Sequence, residues 1–219
     1  MIMKLSIAII LCFLCTGTAM ALSVADSKHN LSTTGVGVHS TTVTQVCIFC
    51  HSPHNAMGGT SLWARQLPDP SSFELYLASP TLTPAALSAQ FDSSNVSLLC
   101  LSCHGGTLEN LGPDMVDPNG TWSKSGVNWD GKTPVNHPVG FDYALAQSQN
   151  PTKLGTPLQV SAALGSSNVF LRSSLTGTNY SSMECSTCHL VHDNANPPFL
   201  RIANANNAFC LACHIDKKY

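Results

Sequence analysis

Four times in this chain a cysteine pair spaced C-x-x-C is followed at once by histidine. The motifs are Cys47-Ile48-Phe49-Cys50-His51, Cys100-Leu101-Ser102-Cys103-His104, Cys185-Ser186-Thr187-Cys188-His189 and Cys210-Leu211-Ala212-Cys213-His214. Two thiols one turn apart suit addition to the two vinyl groups along one edge of a porphyrin. The next residue can then present its imidazole to the iron. The pattern predicts four covalent haems, with Cys47, Cys50, Cys100, Cys103, Cys185, Cys188, Cys210 and Cys213 as thioether residues. His51, His104, His189 and His214 are the predicted proximal iron ligands. Histidine is 9 of 219 residues, so four chance successes after four pairs have a probability on the order of a few in a million. Zinc ribbons also pair C-x-x-C units but need no histidine directly after each one. Redox-active disulfides would want a thioredoxin-like βαβ pattern, which the sequence lacks.

The remaining histidines are candidates for the opposite axial positions: His29, His39, His54, His137 and His192. His54 and His192 each follow a proximal histidine by three residues. A proximal histidine is tied beside the covalent edge on one face, and three residues cannot wrap to the other face. His54 and His192 are therefore expected to ligate different haems from His51 and His189, which would pack those haems almost in contact. Pro138 biases His137 away from helix, towards an extended conformation that can cross a haem face. His29 and His39 compete for the last place, and spacing does not separate them. Met57, Met115 and Met183 are the rival ligands after the leader. With a histidine for every iron, bis-histidine coordination and potentials below those of His/Met haems are expected.

The elements that must position these groups are sparse. Charged residues are 10% of the chain, against about 25% in an average soluble domain. That excludes a basic-patch nucleic-acid binder. Lys4, the apolar run Leu5 to Leu14 and Ala19-Met20-Ala21 read as a signal peptide over 1–21, removing Cys12 and Cys15. A lipoprotein reading would acylate Cys15, but bulky Leu14 precedes it. The apolar run falls short of the roughly 20 residues a spanning helix needs. Residues 22–219 are then one exported tetrahaem domain, in the periplasm or at the cell surface. They carry nine Lys and Arg against twelve Asp and Glu. Arg65, Arg172 and Arg201 and the lysines are candidate partners of haem propionates.

The expected fold is mostly irregular coil with a few short helices, scaffolded by four haems that replace an ordinary core. Helices are expected on or just after each motif and at Thr83–Phe91, with Pro84 in the first turn. No core helix is expected between 104 and 184, where turn signals dominate. Short strands are expected at Leu158–Ala162 and Asn168–Leu171. Phe49, Trp63, Phe73, Trp122, Trp129, Phe141, Phe170 and Phe199 are expected to pack on haem.

The sequence resembles the small tetrahaem c-type cytochromes of metal-reducing bacteria, including extracellular filament-forming ones. The matching stretches run from Lys28-His29-Asn30-Leu31-Ser32 through Val46–Ala56, Leu62-Trp63, Leu99–His104 and Asn136-His137-Pro138-Val139. They continue through Met183–His189, Pro197–Arg201 and Cys210–His214. The resemblance favours His29 over His39. It implies electron transport to extracellular acceptors such as iron oxide, partner cytochromes, and head-to-tail polymerisation in which His29 or His39 reaches a neighbouring subunit's haem. A heterologous contact that does not close makes a filament. The histidines are numerous enough to cap every iron within one chain, which would leave a monomeric periplasmic shuttle. A multihaem reductase would need an open iron and nearby acid–base groups. The sequence therefore points to an electron-transfer protein rather than an enzyme.

Overall fold

Each helix in this chain is short and has a local cause. The computed structural model describes residues 24–54, 56, 62–73, 75, 81–105, 114–116, 137–164 and 182–216. The expected leader over 1–21, Trp122, Trp129, Phe170 and the strand expected at Asn168–Leu171 lie outside the described residues. Helix α1 (Pro84–Leu87) starts where the Thr83 side chain accepts from the Ala86 amide, with Pro84 in the first turn. It ends at Leu87, earlier than Phe91. Helix α2 (Ser97–His104) carries the second motif. Helix α3 (Tyr143–Gln149) is capped by Asp142, whose carboxylate accepts from the Leu145 amide at 3.0 Å. Helix α4 (Pro157–Ala163) opens with a reciprocal Thr156–Gln159 capping box and Pro157 in the first turn. Helices α5 (Cys185–Cys188) and α6 (Ala208–Cys213) carry the third and fourth motifs, and a 3-10 turn, Cys47–Phe49, carries the first.

Two expectations are corrected here. The strand expected at Leu158–Ala162 is part of α4. Its alternating apolar residues suggested period two, but the capping box and Pro157 start a helix. Of that helix only Val160 is buried, while Leu158 is 80% exposed. The segment between the second and third motifs also contributes core helices, since α3 buries Tyr143 and Ala146.

The strands are two-residue pieces. β1 (His39–Ser40) pairs antiparallel with β2 (Met115–Val116), and β3 (Phe141–Asp142) with β4 (Ser182–Met183). Gly140 enters β3 with φ +78°, and a Cβ there would lie 2.8 Å from the Phe91 ring. Helix α1 packs against α3, α4 against α6, and α2 against α5. These contacts close an apolar cluster that includes Leu98, Leu101, Phe141, Tyr143, Val160, Leu164, Met183 and Ala212. The chain therefore has a protein core of its own, and Phe141 belongs to it. Small residues make this possible: Ala85, Ala86 and Ala146 let short helices approach closely. Leu98 and Leu101 lie on α2, Met183 stands two residues before α5, and Ala212 lies on α6. Three of the four motifs thus rest on one core.

Candidate haem centre

The backbone presents three of the four motif histidines in the same way. In the third and fourth motifs the helix stops at the second cysteine and the histidine turns extended, with φ −110° and ψ 136° at His189 and φ −91° and ψ 95° at His214, while the 3-10 turn of the first ends at Phe49. The His51, His189 and His214 amides still donate to the first cysteine's carbonyl at 2.9, 3.1 and 2.9 Å. Each of these histidines then pairs through an isolated antiparallel bridge: His51 with Trp63, His189 with Leu200 and His214 with Leu154. His104 differs by remaining the last residue of α2.

The first and third motifs belong to matching modules. The Ser52 amide donates to Leu62 O and the Ala64 amide to Cys50 O. The Leu190 amide donates to Phe199 O and the Arg201 amide to Cys188 O. The returning strand in each begins at a residue forced into the left-handed region, Leu62 at φ 66° and Phe199 at φ 62°. In the third motif His189 Nδ1 lies 2.9 Å from Pro198 O. That contact orients the ring and leaves Nε2 available to a metal. Along the chain the order is therefore an isolated histidine, a C-x-x-C-H-x-x-H motif and a plain C-x-x-C-H motif. His29, Cys47–His54 and Cys100–His104 form the first set; His137, Cys185–His192 and Cys210–His214 form the second.

The imidazoles come together twice within a set and once across the two sets. His29 and His104 have ring centroids 5.9 Å apart at 56°, His51 and His192 6.0 Å at 22°, and His137 and His214 6.3 Å at 68°. Two imidazoles sharing one metal, each about 2 Å from it, place their centroids about 6 Å apart. Ring contacts in general span about 4.5–7 Å, so distance alone does not make a ligand pair. The pairing makes these the candidate ligand pairs, because each contact joins a motif histidine to a histidine outside that motif. The donor set therefore fits haem iron.

Electrostatics favour the neutral, ligating form. Burial, with the charges of His104 and His189, lowers His29 to about 4. Burial lowers His137, and burial followed by the neighbouring His137 lowers His214. The His29 ring also stacks on Phe199, 4.7 Å away at 13°. His39 stands apart on β1 with Nδ1 2.7 Å from Gly37 O. His54 is exposed, and its carbonyl accepts from Ser52 Oγ. His54 and His189 are not in ring contact among the described residues.

The cysteines form a series. Burial, and then the neighbouring Cys103, pushes Cys50 up to about 11, opposed by Arg65. Cys100 is pushed up first by its hydrogen bond with Cys185 and then by burial. Burial and then Cys213 push Cys188 up to about 12. Successive motifs thus feel one another's charge, and the second and third are in direct contact through their helices. Arg65 Nε donates to Ser102 O at 3.3 Å and Arg201 Nε to Ser186 O at 2.8 Å, which seats both guanidinium groups on motif backbone.

Sequence reasoning did not single out Glu184. Its side chain is fully buried between the second and third motifs. The only signal was a carboxylate placed directly before Cys185.

The doubled CXXCH motif family matches residues 178–219, which hold the third and fourth motifs. No curated protein matches the chain. No helix among the described residues is long and apolar enough to cross a membrane. The doubled motif supports a multihaem c-type cytochrome with covalently bound haem c, and haem-based electron transfer as its chemistry.

Proposed function

We propose that this chain is an exported tetrahaem electron-transfer protein with no catalytic site of its own. Its four haems would be attached at Cys47/Cys50, Cys100/Cys103, Cys185/Cys188 and Cys210/Cys213. The observation that carries this reading is the set of three histidine pairs, His51 with His192, His104 with His29 and His214 with His137, beside the contact between the helices that carry Cys100 and Cys185. Each pair could hold one iron, and attachment helices in contact would bring the edges of their cofactors side by side, which is what rapid electron exchange requires.

Haem iron, when bound, supplies a one-electron ferric/ferrous couple. The protein's part is to bond, orient and shield. The proposed axial pairs are His51/His192, His104/His29 and His214/His137, with His54 completing His189 by the symmetry of the two modules. Two imidazoles per iron leave no open position for a substrate, which is why a reductase is the weaker reading.

The finer reading places these subunits in a head-to-tail filament serving an extracellular acceptor such as iron oxide, with partner cytochromes feeding it. His29 lies against His104 of its own chain, and with four in-chain pairs no iron is left for an imidazole from a neighbour, so this reading joins subunits by surface contact and assigns His39 to no iron.

Intact mass and ferric electron paramagnetic resonance of the secreted protein test the main reading. Cleavage after Ala21, four added haems and four low-spin irons are expected. A colourless protein that binds zinc would sink it. Electron microscopy of the native secreted material decides between filament and monomeric shuttle.

A further inference from the structure

A buried carboxylate joins two of the motifs, and its charge has no partner of opposite sign in its hydrogen-bond shell. Glu184 is 0% exposed. Oε1 accepts from Asn95 Nδ2 at 2.7 Å and from Ser182 Oγ at 2.6 Å. Oε2 accepts from the Ser97 amide at 3.0 Å and from Ser97 Oγ. All four donors are neutral. Asn95 and Ser97 lie at the start of α2, Ser182 lies on β4, and Glu184 is the residue before α5. Ser97 Oγ also accepts from the Cys185 amide at 3.0 Å. The carboxylate is therefore fixed between the helix that carries Cys100 and the helix that carries Cys185. Its field reaches both thiols. Beyond their shared hydrogen bond and burial, the Glu184 charge favours the protonated form of Cys100, and it acts in the same sense on Cys185.

Packing alone would not require a charge here, since glutamine has the same shape, although its amide nitrogen cannot accept and would leave the donors of one oxygen unpaired. A buried anion surrounded only by neutral dipoles is costly unless those dipoles are fixed in advance. What a charge does and glutamine does not is act at a distance through a low-dielectric interior. Reduction of a haem adds a negative charge, so a fixed anion beside it disfavours the reduced form. This is tuning by local charge and burial, separate from axial-ligand identity.

We propose that Glu184 is a positioning and tuning residue. It clamps the second and third attachment helices together, and its charge holds down the potentials of the haems attached at Cys100 and Cys185. This rests on the haem attachment proposed above.

The test is spectroelectrochemical titration of holoprotein Glu184→Gln against wild type, with haem number fixed by intact mass. The expected result is four haems and a rise in at least one midpoint. The size is about tenfold in the reduction equilibrium, or about 59 mV for one electron. Four haems with superimposable titrations would overturn the proposal. If Glu184→Gln does not load fully, Glu184→Asp and Glu184→Asn form a second pair that differs in charge at nearly constant size. Higher potentials in the Asn protein support the proposal, and equal potentials refute it. A wild-type protein whose intact mass shows no haem at these cysteines would refute the attachment reading and, with it, the tuning role of Glu184, an outcome distinct from four haems with unchanged potentials.

Discussion

His51 and His192 face each other 6.0 Å apart with ring planes 22° from parallel, although each follows a different cysteine pair. A histidine three residues beyond its own motif has thus reached the imidazole of the other module. The two modules are interlocked by this exchange rather than laid end to end. Truncating either partner should open one iron without touching its thioethers.

His192→Ala is therefore expected to keep four haems while one ferric iron turns high-spin and the ferrous protein takes up one carbon monoxide. His54→Ala should do the same at the iron of His189, if the modules are reciprocal. Electron paramagnetic resonance and carbon monoxide titration count the affected irons. A His192→Ala protein with four low-spin irons would refute the His51/His192 pair.

His29 and His39 are ten residues apart, and only one of them lies against a motif histidine. His29 is 5.9 Å from His104, and its burial and neighbouring charges lower it to about 4. His29→Ala should create one high-spin haem in the isolated subunit, whereas His39→Ala should leave the isolated subunit's spectrum unchanged. The same two variants examined as secreted assemblies test the filament assignment. Filaments should survive His39→Ala, because the four in-chain pairs leave no iron for an imidazole from a neighbour; their loss would mean that one in-chain pair is wrong.

Tyr143 predicts an alkaline limit to stability. Its hydroxyl is buried and donates to Gly155 O at 2.8 Å, and burial, before any neighbouring charge, raises its ionisation above the ordinary value of 10. A raised acid keeps its proton longer in the folded state than in the unfolded state. Its contribution is whole below pH 10 and is lost as pH rises from there towards the folded value. Tyr143→Phe should cost about 1 kcal/mol at neutral pH through the lost hydrogen bond. It should also flatten the fall in stability above pH 10. Urea unfolding of the holoprotein at pH 7 and at stepped alkaline pH measures both effects.

The chemistry of this chain was far more legible than its packing. The attachment residues follow from thiol spacing and the histidine beside it, which are local. The expectation that His54 and His192 serve other irons follows from the reach of three residues, which is also local, and the structure brings His192 to His51 but, among the described residues, does not bring His54 to His189. The structure supplies what depends on distant chain. It sets His29 rather than His39 against His104, because Phe199 in the second module stacks on the His29 ring. The core was missed for a physical reason: it is assembled from alanines, single leucines and one tyrosine on helices of four to eight residues. Such pieces are too short to show a hydrophobic period. The α4 segment misread as strand shows the same limit, since the Thr156–Gln159 box outweighs three alternating apolar residues. Glu184 was silent because its donors, Asn95, Ser97 and Ser182, meet only in the fold.

The last prediction concerns the backbone that holds the third motif in register. Gly140 donates its amide to Met183 O at 2.7 Å, the bond that begins the β3–β4 pair leading into Cys185. Its φ of +78° is open to glycine and strained for alanine, and the added Cβ would stand 2.8 Å from Phe91 Cε1. Strain alone costs about 1–2 kcal/mol, and the Phe91 ring, packed edge-on against Phe73 at 5.8 Å, adds to it because it must shift. Gly140→Ala should therefore lower stability by about 2 kcal/mol or more. Leu158→Ala, at a side chain 80% exposed, should stay within about 0.5 kcal/mol of wild type. Urea unfolding of the two holoproteins side by side checks the contrast. Equal midpoints would mean that the Gly140 turn does not constrain the strand that delivers Cys185.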